Sequence, residues 1–166
     1  IQKDELRVHF QPKMSLRTGT ICGAEALVRW QHAEYGWLTP DEFVPAAEEA
    51  GTIVHLTRFV LQQAISECRR WQDSGRSLQV SVNISARDLQ DEYLPYYVLQ
   101  LMKEHGLPTN RLTLEVTENS IMQNIQKAIT VLECLRDIGV RISMDDFGTG
   151  YSSLAQIRKI PLHELK

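Results

Sequence analysis

Val140-Arg141-Ile142-Ser143-Met144-Asp145-Asp146 is a short apolar, β-branched run that closes on two carboxylates. Three other stretches follow the same plan: Ile21-Cys22-Gly23-Ala24-Glu25, Leu78-Gln79-Val80-Ser81-Val82-Asn83 and Leu112-Thr113-Leu114-Glu115. Each ends in a carboxylate or a carboxamide, and a helix-like segment follows each. Strand then helix, repeated, predicts a parallel βα fold in which all strand C-termini lie on one face. The terminal polar groups then converge. Carboxylates gathered in one place repel one another unless a cation sits between them. An oxygen-rich cluster of this kind suits Mg²⁺ or Mn²⁺ rather than zinc.

Upstream, Leu6-Arg7-Val8-His9-Phe10 alternates apolar and polar residues, as a half-buried strand does, and Pro12 is expected to stop it. Arg17-Thr18-Gly19-Thr20 reads as a turn, so the first two strands should form an antiparallel hairpin. In Thr39-Pro40-Asp41-Glu42 the threonine is a helix N-cap, the proline takes the first helical position and Glu42 completes a capping box. That helix should end near Gly51. A longer one follows on Leu56, Phe59, Val60, Ala64, Ile65, Cys68 and Trp71, closing before Gly75.

Beyond the strand at 78–83, Ser85 can cap a short helix, and Pro95 restarts another that runs to about His105. Gln123 to Asp137 is amphipathic through Ile125, Ile129, Leu132 and Leu135, with Gly139 as its stop. Ser152 to Lys159 reads as a short helix ended by Pro161, and Leu162-His163-Glu164-Leu165-Lys166 as the opening of another strand. The order is that of a (β/α) barrel with an unusual first hairpin. It supplies about six of the eight strands such a barrel needs. The chain is therefore expected to be a piece of a larger protein, with the last strands and helices of the barrel lying beyond Lys166.

The 166 residues, 43% of them hydrophobic, suffice for one substantial core. A formal net charge of -3 argues against a broad footprint on a nucleic acid polymer. It leaves room for a small phosphate-bearing ligand, because bound cations would supply the positive charge. Cys22, Cys68 and Cys134 are odd in number and have no CxxC spacing, which fits a reducing, cytoplasmic setting better than a disulfide scaffold. No stretch reaches the roughly 18 apolar residues of a membrane span, so this segment is expected to make no membrane contact, although a longer parent could be anchored.

Asp145-Asp146-Phe147-Gly148-Thr149-Gly150-Tyr151-Ser152-Ser153 is the strongest local signal. Adjacent aspartates at a strand end point in different directions, so one can bridge two metals while the other holds the second. Gly148 and Gly150 let the loop turn tightly. An Asx-type turn with a helix cap is the plainer alternative. A kinase Asp-Phe-Gly reading fails for want of an HRD-like loop and a strand lysine. A dinucleotide-cofactor loop would set two carboxylates against a pyrophosphate with no metal between them. In Leu114-Glu115-Val116-Thr117-Glu118, Glu115 takes the alternating face toward the site and Glu118 falls in the loop, where it could brace its neighbour; alone, two acids so spaced are an ordinary solvated pair more often than not. Asn83 alone fits a turn former as well as a ligand. Glu25 and Arg29 alone fit a buried salt bridge. The five histidines show no metal-site spacing and are assigned no metal role.

Taken together, the motifs resemble those of the EAL domains, bacterial phosphodiesterases acting on cyclic di-GMP. The resemblance rests on Phe10-Gln11-Pro12, Glu25-Ala26-Leu27-Val28-Arg29-Trp30, the stretch from Gly36 to Phe43, Asn83-Ile84-Ser85, Leu114 to Asn119, Asp145 to Leu154, and Lys166. It implies a modified TIM (β/α)8 barrel with an antiparallel first strand, here a single domain fragment over 1–166. It implies that Glu25, Asn83, Glu115 and Asp145 hold one divalent cation, and that Asp145 and Asp146 hold a second, both Mg²⁺ or Mn²⁺. Lys166 would orient the attacking water, and Glu118 would support the loop from Asp146 to Leu154, which couples metal binding to dimerisation in this family. Gln11, Leu27 and Arg29 would meet the substrate. The implied reaction is hydrolysis of cyclic di-GMP to linear 5′-pGpG in bacterial second-messenger signalling, by a homodimer whose parent chain carries sensory or GGDEF domains. The alternatives are a non-catalytic cyclic di-GMP receptor or dimerisation domain, and a fragment left inactive by the missing strands.

Overall fold

The computed structural model describes residues 4–146, 148 and 160–165. They fall into two compact units, Ile1–Val82 and Asn83–Lys166. The expected helix at 152–159 and Lys166 lie outside the described residues.

In the first unit, β1 (Leu6–Ser15) and β2 (Thr20–His32) form the expected antiparallel hairpin. Its turn closes with the Gly19 N–H donating to the Ser15 carbonyl at 2.8 Å, and Gly19 takes φ +68°. Pro12 does not end the strand. β1 continues three residues past it, with Pro12 paired opposite Ala24. A proline's missing N–H is tolerated on an edge, and among the described residues β1 pairs with β2 alone. A strand that the sequence did not announce, β3 (Gly36–Leu38), pairs antiparallel with the end of β2. α1 (Pro40–Glu49) opens with the expected capping box: the Glu42 carboxylate accepts the Thr39 N–H at 2.6 Å and its hydroxyl at 2.8 Å.

α2 (Ile53–Asp73) buries Leu56, Val60, Leu61, Ala64, Ile65 and Cys68 at three-to-four spacing. β4 (Gln79–Asn83) then runs parallel to β2, with Gly23 level with Gln79. A Cβ at Gly23 would stand 2.6 Å from the Gln79 carbonyl oxygen, so glycine is what lets these strands close up just ahead of Glu25.

In the second unit, Ser85, expected to cap a short helix, precedes a single 3₁₀ turn over Asp88–Gln90 whose N-cap is Arg87. The buried Asp88 carboxylate accepts both the N–H and the hydroxyl of Ser85, at 2.8 and 2.6 Å. α3 (Leu94–Glu104) and β5 (Leu112–Thr117) follow. Glu118, expected in a loop, instead opens a short helix, α4 (Glu118–Met122), because Thr117 serves as its N-cap and accepts the Ser120 N–H at 3.2 Å. α5 (Ile125–Asp137) starts two residues later than expected, at the N-cap Asn124, and ends before Gly139 at φ +93°. β6 (Arg141–Asp145) and β7 (Glu164–Leu165) extend a parallel ladder from β5. Leu114, Val116, Ile142 and Met144 are fully buried on one face of it and Glu115 and Ser143 on the other, as parallel sheets require. Among the described residues no helix is long and apolar enough to cross a membrane.

Candidate metal and phosphate site

In the first unit, β2 presents two faces. Ala24, Ala26 and Val28 are buried against the helices, and Glu25, Leu27 and Arg29 alternate with them onto the opposite, half-open face. The antiparallel ladder sets Gln11 opposite Glu25, His9 opposite Leu27 and Arg7 opposite Arg29, and paired residues share a face. The four residues expected here, Gln11, Glu25, Leu27 and Arg29, are thus brought together on one surface. Lys13 enters the same face, its Nζ donating to Ser81 Oγ at 2.9 Å, and Ser81 lies level with Glu25. Arg7, His9 and Lys13 were not singled out in the sequence, because only the register shows what stands opposite each strand-end residue.

In the second unit, the Ile84 N–H donates to the Glu115 carbonyl at 3.0 Å, which sets the preceding residue, Asn83, beside Glu115. One strand further, Glu115 lies level with Ser143, and Asp145 with Thr117. Asn83, Glu115 and Asp145 therefore come from neighbouring strand ends. Glu115 is fully buried and Asp145 half-buried. Asp146 is exposed and takes φ +56°, the left-handed region that aspartate tolerates better than most residues, while its N–H donates to Asp145 Oδ1 at 3.0 Å. Asp145 thus ends β6 and Asp146 begins the turn. Glu118 is 2% exposed, and its Oε2 accepts the Gly148 N–H at 3.2 Å, so it holds the start of the segment beyond Asp146.

The chemistry of this donor set is hard oxygen, which suits Mg²⁺ or Mn²⁺. Ser143 Oγ, beside Glu115, is buried with no hydrogen-bond partner among the described residues, an open polar position of the sort a hydrated cation occupies. Among the described residues no group of three or more His, Cys, Asp or Glu could by itself hold a metal ion. Mg²⁺ seldom needs one, since it keeps several waters and is commonly held by one or two carboxylates together with substrate phosphates. Asn83, Glu115 and Asp145, from neighbouring strand ends, fit the group on those terms.

The sequence pattern of the EAL domain matches residues 1–166. The chain is 40% identical over 167 residues to the bifunctional diguanylate cyclase/cyclic di-GMP phosphodiesterase MucR of Pseudomonas aeruginosa, covering 100% of this chain and 24% of that protein. It is 38% identical over 166 residues to the cyclic di-GMP phosphodiesterase PdeR of Escherichia coli K12, covering 100% of this chain and 25% of that protein. Among solved structures, the PaMucR phosphodiesterase in complex with c-di-GMP matches with a TM-score of 0.91 at 40% identity, over 97% of this chain and 66% of that one. The chain thus spans about a quarter of the length of the relatives named here.

Proposed function

The chain belongs to the EAL domain family, with its TIM-like α/β fold, and on that premise we propose that it is the catalytic domain of a cyclic di-GMP phosphodiesterase yielding linear 5′-pGpG. The observation that carries this reading is the row of oxygen donors at neighbouring strand ends, Asn83 beside Glu115 with Asp145 one strand on. Residues 1–166 form part of a single EAL domain in this reading. The MucR and PdeR likenesses support the substrate. A cytoplasmic setting, a homodimer and further signalling domains in the parent chain belong to the same proposal.

Glu25, Asn83, Glu115 and Asp145 would hold one divalent cation, and Asp145 with Asp146 a second. Two such ions, when bound, supply the positive charge that lowers the pKa of a water and stabilises a phosphoryl centre under in-line attack. The protein's own part is positioning. Arg29 meets a ligand phosphate as a bidentate donor, Gln11 and Leu27 line the same face, and Lys166 orients the attacking water. Glu118 fixes the backbone after Asp146 through Gly148, so that the carboxylate of Asp146 is presented in one orientation. Attack at one phosphorus breaks its bond to the 3′ oxygen, and a proton ends on that hydroxyl.

Purified protein incubated with cyclic di-GMP and Mg²⁺ or Mn²⁺ should release pGpG, followed by chromatography. Glu25→Ala and Asp145→Asn should each lower turnover by more than about a hundredfold, since even groups that only orient a metal ligand cost 10–100-fold. Wild-type turnover in either variant removes that residue from the site. Tight binding of cyclic di-GMP with no turnover would establish the receptor reading in its place.

A further inference from the structure

Arg7 and Arg29 stand directly opposite each other in the β1–β2 ladder. Directly opposed residues of an antiparallel pair share a face, with Cβ atoms about 4.5–5.5 Å apart, and like charges so placed destabilise the pair. Neither guanidinium is relieved by an acid, since among the described residues neither meets a carboxylate. Arg7 Nη1 donates to its neighbour's carbonyl on Leu6 at 3.0 Å, and Arg29 Nη1 to the carbonyl of Val28 at 2.8 Å. A guanidinium has five N–H donors, so most of each fork meets no acceptor among the described residues. Two guanidiniums rooted at one register position of a half-open face, with no carboxylate partner among the described residues, offer donors that a phosphodiester, with its two unshared oxygens, can accept.

Next to them is an aromatic surface of the same orientation. Trp37 pairs with Gln31, which comes after Arg29 on the same face of β2, and Trp37 remains 54% exposed. Its ring lies 5.8 Å from that of His9, tilted by 55°. His9 in turn stands opposite Leu27. The neighbouring Trp30 spends its ring differently, packing edge-on against the buried Phe43 at 5.6 Å on the other face. Trp37 thus offers a large aromatic surface beside two cations. Nucleobases stack on exposed aromatic rings of this kind regardless of sequence.

We propose that Arg7 is a second phosphate-binding guanidinium, acting with Arg29, and that Trp37 is the platform for a base of the same ligand. The ligand class is a purine dinucleotide carrying a phosphodiester, so this rests on the function proposed above and adds residues to its binding face. Both residues are positioning and affinity determinants on the ligand side and hold no metal in this reading.

The experiment is a comparison of wild type, Arg7→Ala, Arg7→Lys and Trp37→Ala in binding and turnover of cyclic di-GMP, with binding of dimethyl phosphate as a phosphodiester probe that has no base and no ring. Arg7→Ala should raise Kd and KM for cyclic di-GMP about tenfold, the scale of one charge-assisted hydrogen-bond pair, with kcat within about twofold. Its binding should also depend less steeply on salt. Arg7→Lys should recover part of the loss, because the charge returns without the fork. Trp37→Ala should weaken cyclic di-GMP while leaving the base-free probe unchanged. Melting temperatures should match wild type, as both side chains are exposed. Wild-type Kd and KM in both Arg7→Ala and Trp37→Ala overturn this proposal alone, and a wild-type protein that binds no cyclic di-GMP overturns it together with the function above.

Discussion

Glu118 shows how much one side chain can hold in place. It occupies the first position of α4, is almost wholly buried, and accepts the Gly148 N–H at 3.2 Å across thirty residues of sequence. Two residues before Gly148, Asp146 takes the left-handed region, a conformation that costs most non-glycine residues about 1–2 kcal/mol and persists where its surroundings fix it. The Glu118 carboxylate is one such surrounding. Glu118→Ala should therefore leave the strand-end acids in place and loosen the backbone beyond Asp146. The expected result is a turnover reduced about tenfold or more, with a raised Mg²⁺ requirement, on the scale of a lost charge-assisted hydrogen bond. A metal titration of activity checks it, and Glu118→Gln, which keeps an acceptor oxygen, should be less affected. An unchanged Mg²⁺ dependence in Glu118→Ala would make the contact incidental. From its spacing Glu118 could be a brace or a solvated acid, and only the family resemblance implied that it supports the loop. The sequence could not show that Thr117 would cap a helix there and turn the acid inward, since a single capping threonine is too common a signal.

Among the elements, the approach to β7 is tied to β6 by one residue acting twice, beside the ladder pairs of Ser143 with Glu164 and Met144 with Leu165. The His163 N–H donates to the Ile142 carbonyl at 2.8 Å, and its Nδ1 accepts the Ile142 N–H at 3.0 Å. Acceptance at Nδ1 requires the neutral ring. Partial burial first, then the positive charges of Arg141 and Arg136, hold the His163 pKa below its ordinary 6.5. The folded state thus binds its proton less readily than the unfolded state. Stability from this clamp is present above the unfolded pKa and is lost as pH falls through the lower folded value. The melting temperature should accordingly drop more steeply below about pH 6.5 in wild type than in His163→Asn, whose side-chain oxygen can still accept without titrating. Parallel pH curves for the two proteins would remove the clamp from the account. Element boundaries were legible wherever local chemistry decides them, as at the Thr39–Glu42 capping box and the Gly139 stop. They were not legible where neighbours decide. Pro12 stays in β1 because its outer edge needs no donor, and Gly36–Leu38 is too short for any periodicity to register.

For the molecule as a whole, the chemistry was readable before the geometry. Acids and an amide closing apolar runs are unusual enough to be noticed one by one, and the fold class emerges from their alternation with helices. What the runs do not disclose is register, and register is what sets Asn83 beside Glu115 and Arg7 opposite Arg29. The fully buried Glu115 carboxylate has a consequence testable on the whole chain, because its charge is costly away from water unless it is compensated. A divalent cation bound by the folded state alone stabilises it by RT ln(1 + [L]/Kd), about 2.7 kcal/mol at a hundredfold excess over Kd. For a chain of this size that corresponds to a rise in melting temperature of roughly 5–10 °C. Mg²⁺ or Mn²⁺ should produce such a rise, EDTA should reverse it, and Asp145→Asn should abolish most of it while keeping the fold. This readout is independent of turnover. If the rise survives in Asp145→Asn, the cation binds elsewhere, and the strand-end acids lose their role as ligands.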